Sequence, residues 1–327
     1  MPTTRERTRP LVPLHAPELR APRPPVEHAT PARRARFTPD ELRAVLEHYS
    51  LPPHQSARDL PRGCEGSPKA LITTSEASFV LKRWTSGQDD PARVAGAHAV
   101  QLTAHAHGAP VAELVPTRCG SSLLLLGGLA YELALFVPGS ACQRDVSGAR
   151  AAGEALARLH TALAHHRPNW RVPDSRLSSR DASERALAGL GARIGAEPIR
   201  QIRVALDATE PAIRALAGAP HGVLHGDAHP GNMLAQAPDG RTRVVAILDF
   251  ANTRRGPHIE ELAQAASHWS MRPPADDPSG SHPDSWPAEP DPTVIEELIA
   301  TYAARRNITI TEIEHAALRP LMARSIL

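Results

Sequence analysis

The sequence predicts an α+β chain in two lobes: a small antiparallel sheet on the N-terminal side, then a larger, mainly helical part. Three observations predict it. Short apolar runs separated by turn residues fill Ser56 to Val137. Beyond Gly139 apolar residues recur at helical spacing, as in Leu156, Leu159 and Leu163. Inside that helical half stands one loop-and-strand pair, Val223-Leu-His-Gly-Asp-Ala-His-Pro-Gly-Asn-Met-Leu234 followed by Val244-Val-Ala-Ile-Leu-Asp-Phe250. At 327 residues the chain can bury two cores or one bilobal one.

Residues 1–36 are crowded with Pro and Arg and hold few apolar side chains, so a disordered tail is expected. Thr38-Pro-Asp-Glu41 then starts a helix, with Thr38 as cap and Pro39 in the first turn. Leu71–Thr74 and Phe79–Trp84 flank Ser75–Ser78 as a hairpin. On its second strand Val80 and Lys82 share one face, and Phe79 and Leu81 share the other. Residues 91–107 read as a helix rich in Ala and His. Ser122–Leu126 and Ala130–Val137 complete the small sheet, whose lobe spans 37–137. The second lobe, 138–327, opens with the Leu156/Leu159/Leu163 stripe, in which His160 reads as a core histidine. Residues 183–217 suggest two helices broken near Gly195–Pro198, and another helix is expected over 258–269. Residues 272–293 are rich in Pro, Asp and Ser and read as a mobile insertion before a final helical region from Val294.

The loop-and-strand pair carries the chemistry. His225, Asp227 and Asn232 form an H-x-D-x4-N frame in a loop broken by Gly226, Pro230 and Gly231. Phosphoryl transfer needs a carboxylate near the accepting hydroxyl, and an amide plus a second carboxylate on Mg²⁺. Asp227 is the candidate base; Asn232 and Asp249, at the end of the apolar run Val244–Leu248, are hard oxygen ligands suited to that ion. His221, His225 and His229 also recur every four residues, as zinc ligands on a helix would. The glycines and Pro230 argue against a helix there, which leaves a zinc hydrolase as a remote alternative.

On these motifs the chain resembles the aminoglycoside phosphotransferase, choline kinase and homoserine-kinase-like superfamily, over roughly residues 38–325. The resemblance implies a protein-kinase-like fold and an ATP-dependent kinase acting on a small-molecule hydroxyl substrate, with ATP and Mg²⁺ as cofactors. It further implies that Lys82 steadies the nucleotide phosphates, that Val80 lies against the adenine, and that the backbone of Ala134, Leu135 and Phe136 bonds the adenine edge. Gly63-Cys-Glu-Gly-Ser67 is then a candidate phosphate-covering turn, and an ordinary hairpin loop is the alternative reading. The family's Asp-Leu-Ala after the metal carboxylate reads Glu261-Leu-Ala263 here, a change expected to affect helix packing more than chemistry. Folds of this kind normally hold the strand lysine with a helix glutamate. No acidic residue stands between Asp90 and Glu113, so the partner is absent, rebuilt from Asp89, Asp90 or Glu65, or replaced by His98 or Gln101. That gap keeps open a second class of function, a catalytically weak, nucleotide-binding regulatory protein.

Composition narrows the rest. The net charge is +2 and the basic excess lies in the tail, so no nucleic-acid groove is indicated. Cys64, Cys119 and Cys142 are few and far apart, which reads as free buried thiols in a cytoplasmic protein. No apolar run is long enough for a membrane span. From 273 to 297 there are seven acidic residues and no Lys or Arg, which would favour a cationic substrate. Nothing in the sequence fixes an oligomeric state.

Overall fold

Thr38 and Pro39 begin the first helix as their types predict. The Thr38 hydroxyl accepts the Glu41 N–H at 3.1 Å, and Pro39, with no N–H to leave unpaired, opens α1 (Pro39–Leu46). The structure, a computed structural model, describes residues 35–60, 66–167, 172–175, 179–271 and 290–326. Residues 1–34 of the expected tail, Cys64 and Glu65, and 272–289 of the expected insertion lie outside the described residues.

The chain divides into two units. The first takes residues up to Pro91 together with Val115–Ala134. Its strands are β1 (His54–Asp59), β2 (Lys69–Thr74), β3 (Ser78–Arg83), β4 (Leu124–Leu126) and β5 (Leu129–Leu135), in the order β1-β2-β3-β5-β4. The β2–β3 hairpin sets Lys69 opposite Lys82 and Ile72 opposite Phe79. Its turn is held by the Thr74 hydroxyl, which accepts the Glu76 and Ala77 N–H groups. One face packs Ile72, Phe79, Leu81 and Leu133 with Val45 and Tyr49. The α1 helix is tied to the sheet by Glu41, whose Oε1 accepts from Arg83 at 2.6 Å and from the Tyr131 hydroxyl at 2.9 Å.

The second unit takes Ala92–Leu114 and everything from Leu135. Thus α2 (Pro91–Ala106), expected in the small lobe, groups from Ala92 onward with the larger one. The reason is the segment after it: the Ile247 N–H donates to the Pro110 carbonyl at 2.7 Å, and Val111 forms a parallel bridge to Ile247. Next come β6 (Ser140–Ala141), α3 (Val146–Leu163), α4 (Arg180–Ile194), α5 (Ala196–Arg214), β7 (His221–Leu224), β8 (Met233–Gln236), β9 (Arg243–Ile247) and β10 (Arg254–Pro257). The helices α6 (His258–Ser270), α7 (Pro292–Arg306) and α8 (Glu312–Ile326) close the chain. Gly195, at φ 81°, breaks α4 from α5. The α3 helix is capped by Asp145, whose carboxylate accepts the Gly148 N–H at 2.7 Å. It buries Leu156, Leu159, His160 and Leu163. Among the described residues no helix is long and apolar enough to cross a membrane. Cys142 is buried as expected, but Cys119 is exposed, because it sits in the turn before Gly120 rather than in a core strand.

Candidate active site

Two small sheets of the second unit frame the loop. The β7 strand pairs antiparallel with β10, and β8 pairs with β6 and β9. The H-x-D-x4-N segment runs from the end of β7 to the start of β8, through a tight turn at Pro230–Asn232. The His229 ring caps that turn, its Nδ1 accepting the Gly231 N–H at 3.0 Å.

His225 is a prop. It is fully buried, packs edge-on against Phe250, and its Nδ1 lies 3.3 Å from the Asp227 N–H. With Nδ1 accepting, Nε2 carries the proton and donates to the Leu248 carbonyl at 2.8 Å. Gly226 holds φ 81°, and a Cβ there would stand 2.0 Å from the Asn252 carbonyl, so both conformation and space demand glycine.

Beneath the loop lies Glu261 of α6. Its Oε1 accepts the Gly226 N–H at 2.6 Å, and its Oε2 accepts the His225 N–H at 3.0 Å and faces His160 Nε2 at 2.7 Å. Burial alone would raise this carboxyl, but the His160 bond and charge, with the His225 and Gly226 contacts, bring it down to about 2. His160 in turn meets the Tyr302 hydroxyl at 2.7 Å and stacks on His258. Glu261, expected to bear more on helix packing than on chemistry, grips the two consecutive backbone N–H groups of His225 and Gly226, just ahead of Asp227.

Asp227 projects from this braced loop with about a third of its side chain open (30%). Its Oδ2 accepts from Asn252 Nδ2 at 3.1 Å and more weakly from Asn232 Nδ2 at 3.4 Å. Asn232 Nδ2 also donates to the Asp227 carbonyl at 3.0 Å. That fixes the carboxamide with its oxygen turned away from the loop backbone. The Asn232 carbonyl accepts the Leu248 N–H at 2.8 Å, so Asn232 lies against the residue preceding Asp249. Asp249 adopts φ 62°, a left-handed conformation costly for a residue with a Cβ, just where β9 gives way to a short helical turn. Asn252, which orients Asp227, was missed by sequence reasoning; nothing in its spacing marks it.

The three histidines at four-residue spacing do not share a helix. His221 lies on β7, His225 behind the loop, and His229 at the turn. Among the described residues no three His, Cys, Asp or Glu side chains are grouped to hold a metal ion. Asn232 and Asp249 offer a different set, one carboxamide and one carboxylate oxygen donor, which suits a hard cation whose shell is completed by phosphates and water.

In the first unit Lys82 and Val80 occupy the β3 face opposite the packed Phe79 and Leu81. Lys82 is only 7% exposed, so it does not project into bulk water. Its Nζ lies 3.8 Å from Glu132 Oε1, a carboxylate on the adjoining strand that sequence reasoning did not consider. At the end of β5 the Leu135 N–H is taken by the Glu113 carbonyl at 2.8 Å, while Ala134 and Phe136 are half-buried beside it. From the proposed covering turn, Gly66 and Ser67 are described, and Ser67 Oγ donates to the Arg83 carbonyl.

A family model described as "Phosphotransferase enzyme family" matches residues 56–309. A homoserine kinase of Caulobacter sp. (strain K31) is 28% identical over 291 residues, 84% of this chain and 80% of that one. The structure of a microcompartment-associated aminopropanol kinase superposes with TM-score 0.60 at 15% identity, covering 88% of this chain and 95% of that one. An amicoumacin kinase in complex with AMP-PNP and Ca²⁺ gives TM-score 0.60 at 13% identity, covering 87% and 84%.

Proposed function

Because the chain belongs to the phosphotransferase enzyme family, we propose that it passes the γ-phosphoryl group of ATP to the hydroxyl of homoserine or a closely similar amino alcohol. The family's activity is ATP-dependent phosphotransfer to an alcohol group of a small molecule. Its kinases use ATP with a divalent metal. The choice of acceptor is supported by the homoserine kinase relatives, which align over most of both chains. Such an acceptor carries an ammonium group. The acid-rich composition of 273–297 fits a cationic substrate, and KM for it should then rise with ionic strength.

One observation carries the assignment of roles: Asp227 is the acidic group of the loop that two carboxamides orient while its carboxylate stays partly open. It accepts the hydroxyl proton as the acceptor oxygen attacks. Asn252 and Asn232 restrain its rotation, so little orientation is left to be lost at that step. Asn232 Oδ1 and the Asp249 carboxylate would hold Mg²⁺, which when bound neutralises charge on the phosphates. The left-handed backbone at Asp249 turns the chain sharply at this ligand, and Leu248 ties it to Asn232. Lys82 steadies the phosphates, and Val80 offers an apolar surface to the adenine. The Leu135 N–H is already taken by the Glu113 carbonyl, and the backbone groups of Ala134 and Phe136 are the ones assigned to the adenine edge.

The test is ADP release and phosphate transfer with Mg·ATP and homoserine, beside ethanolamine, aminopropanol, an aminoglycoside and a sugar. Turnover should be fastest with homoserine, with the phosphate on its hydroxyl. Preferential turnover of the aminoglycoside or the sugar overturns the substrate assignment; absence of ADP release with all of them overturns the assigned roles.

A further inference from the structure

Resting on the reading of Lys82 as the phosphate-steadying lysine, we infer that Glu132 of β5 is its positioning carboxylate, supplied by the adjoining strand of the sheet instead of by a helix. The α2 helix cannot supply one, because no Asp or Glu occurs from Pro91 to Ala112. The β3 strand lies beside β5 in the sheet, and the Trp84 N–H donates to the Ala130 carbonyl, which brings the stretches around Lys82 and Glu132 together. The Glu132 carboxylate is shared. Oε2 accepts the Trp84 indole N–H at 2.8 Å, while Oε1 stands 3.8 Å from Lys82 Nζ. The ammonium also lies over the Trp84 ring, 4.4 Å from its centre. Trp84 therefore acts on both partners, fixing the carboxylate by a hydrogen bond and the ammonium by its ring face. Tyr49 is close to the same charge: its hydroxyl is held far above the ordinary phenol range, by burial first and by Glu132 second.

The physical case rests on confinement. A lysine stem has four rotatable bonds, and an ammonium without a fixed partner spreads over many positions. Both side chains are largely buried, 9% and 14% exposed, where opposite charges interact more strongly than at the surface. At 3.8 Å the carboxylate limits where the ammonium can go.

Glu132→Gln isolates the charge. The amide oxygen can still accept from Trp84, and the volume is unchanged, so the fold is retained. Mg·ATP binding to the full chain, measured by titration calorimetry, should weaken about tenfold, the size of one charge-assisted contact. Glu132→Asp should recover part of that loss. In a Lys82→Ala background the Gln substitution should add nothing, an outcome that a purely structural role for Glu132 would not produce. Parent-like binding by Glu132→Gln beside weakened binding by Lys82→Ala overturns the inference alone. So does a loss that is additive in the Lys82→Ala background. Parent-like binding by Lys82→Ala overturns the inference and the role of Lys82 together. The readout needs no acceptor, so a wrong substrate assignment leaves it intact.

Discussion

Asp227 and Glu261 divide the work of the loop between reacting and holding, and substitution should separate the two. Asp227→Ala removes the proton acceptor but no buried partner, so kcat should fall by about 10²–10⁴ while the Mg·ATP dissociation constant stays within about twofold. A variant that still turned over at a tenth of the parent rate would remove Asp227 from the chemistry. Glu261→Gln is the opposite case. The two oxygens accept two backbone N–H groups as well as facing His160, and an amide must turn its NH₂ towards one of these donors. A loss of about 3 kcal/mol in denaturant-derived stability is expected, the size typical of breaking a buried charge network. A midpoint equal to the parent's would show that the loop holds without it. These residues also mark what was legible at this scale. Asp227, Asn232 and Asp249 could be named because their types and spacing carry a chemical requirement. Asn252 and Glu132 could not, because each meets its partner only through the fold, 25 residues from Asp227 in one case and 48 from Trp84 in the other.

Among the elements, the helices with a strong stripe and the hairpin with clear turn chemistry were read closely, while placement depended on contacts that local pattern does not encode. The α2 helix was expected as a helix, but its grouping is set by Pro110 and Val111 meeting Ile247, distant in sequence. The β1 strand is exposed along its length, so His54 and Gln55 gave no apolar signal. Helix approach was equally hidden. The Leu156 stripe announces a buried face of α3, yet how near α7 comes is decided by Gly153, where a Cβ would meet the Leu298 carbonyl at 2.4 Å. Gly153→Ala should therefore destabilise by about 1–3 kcal/mol through forced separation of the helices. Gly189 in α4 has open space around it, and Gly189→Ala should be neutral or stabilising by up to about 1 kcal/mol. Urea denaturation of the pair checks this; equal effects at both positions would mean that α3 and α7 can move apart at no cost.

At the scale of the whole molecule, several buried or half-buried histidines make stability depend on mild acid. His258 accepts from Arg306 through Nδ1 at 3.1 Å. Burial, then the charges of His160 and Arg306, lower its pKa from 6.5 to about 2, against the pull of Glu261. His268 is lowered to about 4 by burial and then by His229, with Asp227 opposing. A histidine depressed in the folded state binds its proton more readily when unfolded. Its contribution to stability is complete above about pH 6.5 and is lost as pH falls, down to about 4 for His268 and about 2 for His258. Glu261, also depressed, acts with the same sign but only below its ordinary 4.5. The thermal midpoint should thus already decline between pH 6.5 and 4.5, before Glu261 begins to contribute. His258→Gln, which keeps an acceptor for Arg306 but cannot take up a proton, should lower the midpoint somewhat at neutral pH and flatten its decline over that window. A decline as steep in the variant as in the parent would assign the acid sensitivity to other groups, and a midpoint independent of pH down to 4.5 would mean that these rings are protonated within the fold without cost.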